Sequence, residues 1–157
     1  MLGKHGLMRK VEIAPLELSY LEAVVQIEKE CFSVPWSLVN FEESIKNPMN
    51  YFVCAKLNNQ ILGYAGMYAI EDEGYVYNIA VTKPFRGQGI AKAMIENLIH
   101  HSKVLNLRFL SLEVRQSNGP AIHLYEKYGF ESCGVRKNFY TYPTENALIM
   151  TLHFLEN

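Results

Sequence analysis

The sequence predicts an α+β fold with helices on a mixed sheet, and three features carry that expectation. β-rich and helical segments follow one another in the order β α α β β β α β α β β, so that the two later helices pack on a mixed sheet. A strand near Tyr75 to Val81 feeds a helix through the glycine-bearing loop Arg86-Gly87-Gln88-Gly89. The chain has 157 residues, 49% of them hydrophobic, which suits one domain with a sizeable core. That domain is assigned to residues 11–157. Residues 1–10, with Gly3, Gly6 and three basic groups but no periodicity, read as a flexible lead in which Met8 is a second candidate start.

The elements follow from local patterns. Val11 to Ala14 alternates weakly and reads as a strand closed by Pro15. Ser19-Tyr20-Leu21-Glu22 fits a capping box, and Tyr20, Val24, Ile27 and Cys31 recur at helical spacing. Pro35 breaks that helix, and Ser37 is a good N-cap for a second one with Leu38, Phe41 and Ile45 on one face. The break carries Trp36, the chain's one tryptophan, which either lines a cleft or packs the helical pair. Tyr51 to Leu57 and Ile61 to Ile70 form a hairpin about Asn58-Asn59-Gln60, and Asp72-Glu73-Gly74 is the next turn. Ile90, Met94 and Leu98, with Ala91, Ile95 and Ile99, give the glycine-loop helix a wide apolar stripe. Leu107 to Val114 alternates as a strand. Ser117 or Asn118 then caps a helix with Pro120 in its first turn and Gly129 as its stop. Phe130 to Tyr140 and Ala147 to Phe154 close the chain as two strands.

The loop between strand and helix is the first functional signal. Two glycines let backbone approach a ligand, and the amides of the helix's first turn lack partners within the helix. Together with the helix dipole they favour a phosphate, although a glycine pair before a helix also serves as a plain tight turn. The spacing is neither that of a P-loop nor that of a dinucleotide fold.

Several classes are disfavoured. A formal net charge of −1 leaves no surplus of Lys and Arg for sequence-independent nucleic-acid binding. No apolar run approaches a membrane span, so a soluble, cytoplasmic protein is expected. Cys31, Cys54 and Cys133 form no CxxC pair and read as small buried hydrophobes, and the five histidines have no partners at ligand spacing, so no metal is expected.

Arg86, Gly89 and Ala91, behind Ile79-Ala80-Val81, match the acetyl-coenzyme A signature of the GNAT superfamily of N-acetyltransferases, and the chain resembles that family from about Val11 onward. It is most similar to the bacterial ribosomal-protein-alanine N-acetyltransferases, through Pro35-Trp36-Ser37, Asn78 to Val81, Leu112 to Asn118, Ala121 to Phe130, Arg136 to Tyr140 and the ALIM at Ala147. The resemblance implies a GNAT fold, a mixed central sheet splayed between the fourth and fifth strands with helices on both faces. It implies acetyl-CoA as cosubstrate, held by Ile79, Ala80, Val81, Arg86, Gly87, Gln88, Gly89, Ile90, Ala91 and Lys92, with Asn118 a further contact. It also implies Glu113 as general base and Tyr125 as general acid, Trp36 and Tyr140 in substrate-facing segments, and as partner a protein N-terminal peptide, that of a ribosomal protein. Glu145-Asn146 departs from the acidic pair usual in the family, which bears on substrate choice.

Elementary chemistry points the same way. Acetyl transfer needs a neutral nitrogen, and an α-amino group with a pKa near ~8 is far easier to deprotonate than a lysine near ~10.4. Glu113 either takes that proton, where a cleft desolvates it, or is an ordinary strand-edge carboxylate. Tyr125 either supports the leaving thiolate or fills the core. A strand amide left unpaired at the splay, at or near Ile79, would face the developing oxyanion. Two other readings stay open: a polyamine or antibiotic acetyltransferase, whose cationic substrate would want carboxylates such as Glu42-Glu43 or Asp72-Glu73 in the cleft, and a non-catalytic CoA-binding module.

Overall fold

The structure, a computed structural model, describes Gly6 and residues 10–155. The expected flexible lead, Met8 included, lies almost wholly outside the described residues. Seven strands form one sheet: β1 (Val11–Pro15), β2 (Asn50–Leu57), β3 (Gln60–Ile70), β4 (Glu73–Val81), β5 (Phe109–Arg115), β6 (Glu131–Tyr140) and β7 (Glu145–His153). Their order across the sheet is β1-β2-β3-β4-β5-β7-β6. Helices α1 (Leu21–Cys31) and α2 (Leu38–Lys46) separate β1 from β2, α3 (Ile90–Val104) follows β4, and α4 (Gly119–Lys127) follows β5.

The helices cover both faces. Ile90, Met94, Ile95 and Leu98 of α3 pack with Val53, Ala55, Leu62, Leu110 and Met150 in one core cluster. Leu21, Val24 and Ile27 of α1 and Phe41 of α2 pack with Phe52, Cys54 and Tyr64 in the other. Side chains alternate across a strand, so β2 sends Val53 and Ala55 to one core and Phe52 and Cys54 to the other. With both faces covered, all four are buried and the strand reads as a continuous apolar run.

Every neighbouring pair of strands is antiparallel except β4 and β5, which run parallel. That pair holds only over Glu73↔Phe109, Gly74↔Leu110 and Tyr75↔Ser111, after which the strands part. Against β3, β4 steps from Asn78↔Gly66 to Val76↔Met67, so Tyr77 is the extra residue of a β-bulge just beyond the last β4–β5 pair. A bulge bends its strand. The sheet is thus splayed between the fourth and fifth strands, as the resemblance implied.

Local expectations are corrected in three places. The capping box at Ser19 does not form: Leu18–Tyr20 makes a short 3-10 turn, and Tyr20, with no side-chain cap, starts α1. The turn expected over Asp72-Glu73-Gly74 falls one residue earlier, with Glu71 at φ +54°, and Glu73 and Gly74 already belong to β4. Of the cysteines only Cys54 is a buried hydrophobe, Cys31 being half-buried and Cys133 exposed. Ser37 does cap α2, in a reciprocal box with Asn40. Asn118 rather than Ser117 caps α4, accepting from the Ala121 amide at 3.2 Å.

Candidate active site

Where β4 and β5 part, a cleft of about 310 Å³ opens between the sheet, the α1–α2 connection, α4 and the end of β6. Six of the predicted site residues line it: Trp36, Ile79, Glu113, Asn118, Tyr125 and Tyr140. A larger cavity of about 810 Å³, lined by Asp72, Lys103, Arg108 and His153 among others, contains none of them. The smaller cleft is therefore the candidate active site.

Glu113 points into the cleft because its neighbours Leu112 and Val114 take the opposite, core-facing side of β5. It is partly exposed, and its Oε1 pairs with Arg136 Nε at 3.0 Å. Tyr125 is 9% exposed, tilted against Phe130, and its phenol makes no hydrogen bond among the described residues. Burial, and then the neighbouring Tyr140, push its pKa up to about 12, so the group stays an O–H donor at neutral pH. Tyr140 is likewise pushed up to about 12, by burial first and then by the Glu113 charge. Asn118 spends Oδ1 on capping α4, and its Nδ2 is unpaired among the described residues.

Two aromatic-rich segments, those that hold Trp36 and Tyr140, line the cleft together. From the α1–α2 connection come Phe32, Ser33, Val34 and Trp36, and from the end of β6 and the turn after it Phe139, Tyr140 and Thr141. Trp36 fulfils both of its sequence readings: it lines the cleft, and its ring packs against Phe41 and Tyr77 at 5.3 and 5.2 Å between centroids. Ser33 Oγ donates to the Thr141 carbonyl at 2.8 Å, joining the two walls. Arg115 holds the second wall: it donates to the carbonyls of Thr141 and Pro143, pairs with Glu145 at 3.2 Å, and lies 4.5 Å over the Tyr140 ring. Glu145 also accepts from the Ser117 hydroxyl and amide, bonds that hold its carboxyl below the usual range.

The glycine loop lies at the end of β4. Gly87 and Gly89 have φ of +74° and +86°, a region that favours glycine, and Gly89 is the N-cap of α3. Among the described residues no amide from Gly87 to Lys92 donates to a backbone carbonyl, which leaves that run as a row of free donors. A Cβ built on Gly87 would meet nothing within 4 Å. Free amides and open space fit a pyrophosphate. Ala80, Val81 and Ile90 are buried beneath the loop. Arg86 is turned back, its Nε donating to the Val81 carbonyl at 2.9 Å and its Nη2 to Cys31 Sγ at 3.2 Å.

The sequence did not mark Arg136 as the partner of Glu113, since that contact spans strands β5 and β6. It also missed Glu28, which looks like any polar position of an amphipathic helix yet is 1% exposed. Glu28 accepts from the Tyr64 hydroxyl and from the Trp36 amide. Burial raises its pKa, and these two hydrogen bonds oppose the shift.

A parallel pair of strands parted beside a glycine-bearing helix start is the arrangement that the resemblance to GNAT acetyltransferases implied. The profile of the Acetyltransferase (GNAT) family matches residues 21–130. The ribosomal protein bS18-alanine N-acetyltransferase of Haemophilus influenzae is 36% identical over 146 residues, 90% of this chain and 97% of the relative. The crystal structure of the ribosomal-protein-S18-alanine N-acetyltransferase from Escherichia coli matches with a TM-score of 0.85 and 32% identity, over 94% of this chain and 96% of that one. A GNAT family acetyltransferase from Elizabethkingia anophelis, solved with acetyl-CoA bound, shares the fold with a TM-score of 0.74 at 22% identity, over 92% and 99% of the two chains. The chain belongs to the GNAT acetyltransferase family and is an N-acetyltransferase.

Proposed function

We propose that this protein transfers the acetyl group of acetyl-CoA to the α-amino group at a protein N-terminus, an N-terminal alanine of a small-subunit ribosomal protein, in the cytoplasm. The observation that carries the reading is the convergence of Glu113, Tyr125 and Trp36 on one cleft at the β4–β5 splay. Acetyl-CoA supplies the acetyl thioester. The amides from Gly87 to Lys92 hold its pyrophosphate, and Ile79 to Val81 and Asn118 contact the remainder. The peptide amine gives a proton to Glu113, directly or through a water, and its nitrogen forms the new bond to the acetyl carbon as the carbon–sulfur bond breaks. The Tyr125 O–H gives its proton to the departing thiolate as general acid and is reprotonated from solvent, so the products are an N-acetylated peptide and the CoA thiol. A backbone amide near Ile79, on the edge of β4 left unpaired beyond Tyr75, faces the developing negative charge on the carbonyl oxygen.

Charge supports a peptide over a polyamine. Among the described residues Glu113 is the one carboxylate lining the cleft, and it is already paired with Arg136. Glu42 and Glu43 do not line it, and Asp72 and Glu73 pair with Arg108 elsewhere. The names of the relatives in Haemophilus influenzae and Escherichia coli support alanine and a ribosomal protein. The test is competition for limiting enzyme and acetyl-CoA among an Ala-initiated ribosomal-protein peptide, free lysine and spermidine, with products read by mass spectrometry. The Ala peptide should win. Preference for spermidine or an internal lysine over every N-terminal peptide would overturn the reading.

A further inference from the structure

We propose that Glu28 is a positioning residue for the peptide: its buried carboxylate fixes the backbone of Trp36, and with it the aromatic wall of the cleft, without touching the substrate. The inference deepens the peptide reading given above and rests on it.

Glu28 sits in the last turn of α1, 1% exposed, with no cation paired to it among the described residues. An apolar residue would fill this place more simply, since a buried carboxylate needs its oxygens satisfied. Both of its oxygens are used: Oε1 accepts from the Tyr64 hydroxyl, and Oε2 accepts from the Trp36 amide at 2.9 Å. Tyr64 is fixed in turn, almost fully buried on β3 and edge-on to Phe41. Trp36 lies in the irregular segment between α1 and α2, where no helix or strand ladder holds it. Among the described residues its amide donates to no other acceptor. One end of the wall is therefore tied to the sheet through a single buried carboxyl, while the indole rests on Phe52 and Tyr77.

The chemistry of the two partners makes the idea separable from mere packing. In Glu28→Gln the amide oxygen can accept from the Trp36 N–H while the NH₂ donates to the Tyr64 oxygen, so both bonds survive. Glu28→Met keeps the volume and loses both acceptors. Tyr64→Phe loses the phenol's bonds to Glu28 and Asn78 and leaves the Trp36 bond in place. Glu28→Asp, shorter by one methylene, withdraws the acceptor from Trp36 while keeping a carboxylate, and replaces the Met variant should that one fail to fold.

Steady-state kinetics with the Ala-initiated peptide, acetyl-CoA binding, and the fluorescence of the chain's one tryptophan make the test. Glu28→Met, or Glu28→Asp, should raise the peptide KM about tenfold, with kcat and acetyl-CoA Kd within about twofold of wild type. Its Trp36 emission should shift to the red and become easier to quench. Glu28→Gln should keep the wild-type KM and emission, and Tyr64→Phe should lower Tm without moving KM. A folded Met or Asp variant with unchanged KM would overturn the proposal, and so would a Gln variant as impaired as the Met one. Trp36→Ala separates the two layers. If it raises KM and Glu28→Met does not, only the role of Glu28 fails, whereas an unchanged KM in Trp36→Ala removes the peptide wall and the proposal with it.

Discussion

At the scale of single residues the cleft sets two polar groups in different surroundings. Glu113 is partly exposed and faces the exposed guanidinium of Arg136, so Glu113→Gln leaves no buried charge behind and should change stability by less than about 1 kcal/mol. Its turnover should nonetheless fall roughly 10²- to 10⁴-fold with acetyl-CoA Kd preserved, the scale of losing a general base. Single-turnover rates beside calorimetric binding check this, and a rate within twofold of wild type would return Glu113 to the strand edge. Tyr125 is buried, and with its pKa pushed up to about 12 it keeps its proton throughout the working range. Tyr125→Phe should therefore lower kcat more than it weakens binding, and wild-type kcat should show no loss from this phenol between about pH 7 and 10. A basic limb near pH 10 that vanishes in Tyr125→Phe would contradict that. Glu28 gives a sign that stability measurements can read. Its folded pKa is raised above the unfolded one, so in that window the native state holds more protons than the unfolded state. The group's contribution to stability is then full below about pH 4.5 and is lost as pH rises through the folded pKa. The Tm of Glu28→Gln should gain on wild type between pH 4 and 7, and a difference that is constant or shrinks would show that the carboxyl is not held this way.

At the scale of elements the strand, loop and helix from Glu73 to Val104 act as one device. Both glycines sit at positive φ, and the space beside Gly87 is clear of protein atoms. Gly87→Ala should thus cost only the conformational strain, about 1 to 2 kcal/mol, while placing a methyl group where ligand would lie. The expected result is a folded protein with a modest drop in Tm and at least a tenfold weaker acetyl-CoA Kd by calorimetry, and unchanged affinity would remove Gly87 from the cofactor site. This device was legible in sequence because its signals are local. Gly87 and Gly89 answer to backbone conformation, and Ile90, Met94 and Leu98 to helical period. Ser37 was legible for the same reason, as a cap three residues before its partner Asn40. Ser19 misled because Leu18–Tyr20 closes a 3-10 turn that competes with the capping box over the same residues. What stayed hidden depends on partners far along the chain. Arg136 meets Glu113 only when β6 and β5 are brought together by β7, and Glu28 becomes a buried acceptor only when β3 delivers Tyr64 beneath α1.

At the scale of the whole molecule the sheet is two ladders joined by a short seam. β1 to β4 form one antiparallel ladder, β5, β7 and β6 the other, and three residue pairs connect them. Packing supports the seam from one side: α3 meets residues of both ladders, Leu62 and Met67 on β3 and Leu110 and Leu112 on β5. Beyond Tyr75 the facing edges of β4 and β5 are no longer paired with each other, so the seam is where the sheet has fewest ladder bonds to lose and where a bound ligand has most to add. The proposed acetyl-CoA site spans it, with the pyrophosphate loop attached to the first ladder and Asn118 to the second. Binding should therefore stabilise the fold as one unit, by about 2.7 kcal/mol at a hundredfold excess over Kd, or roughly 5 to 10 °C in Tm. Hydrogen exchange gives the spatial test: amides from Val76 to Val81 on β4 and from Leu112 to Arg115 on β5 should slow together when acetyl-CoA is added. Slowing confined to the Gly87 to Lys92 loop, with the β5 edge unchanged, would mean that the ligand rests on one ladder and the splay is not its seat.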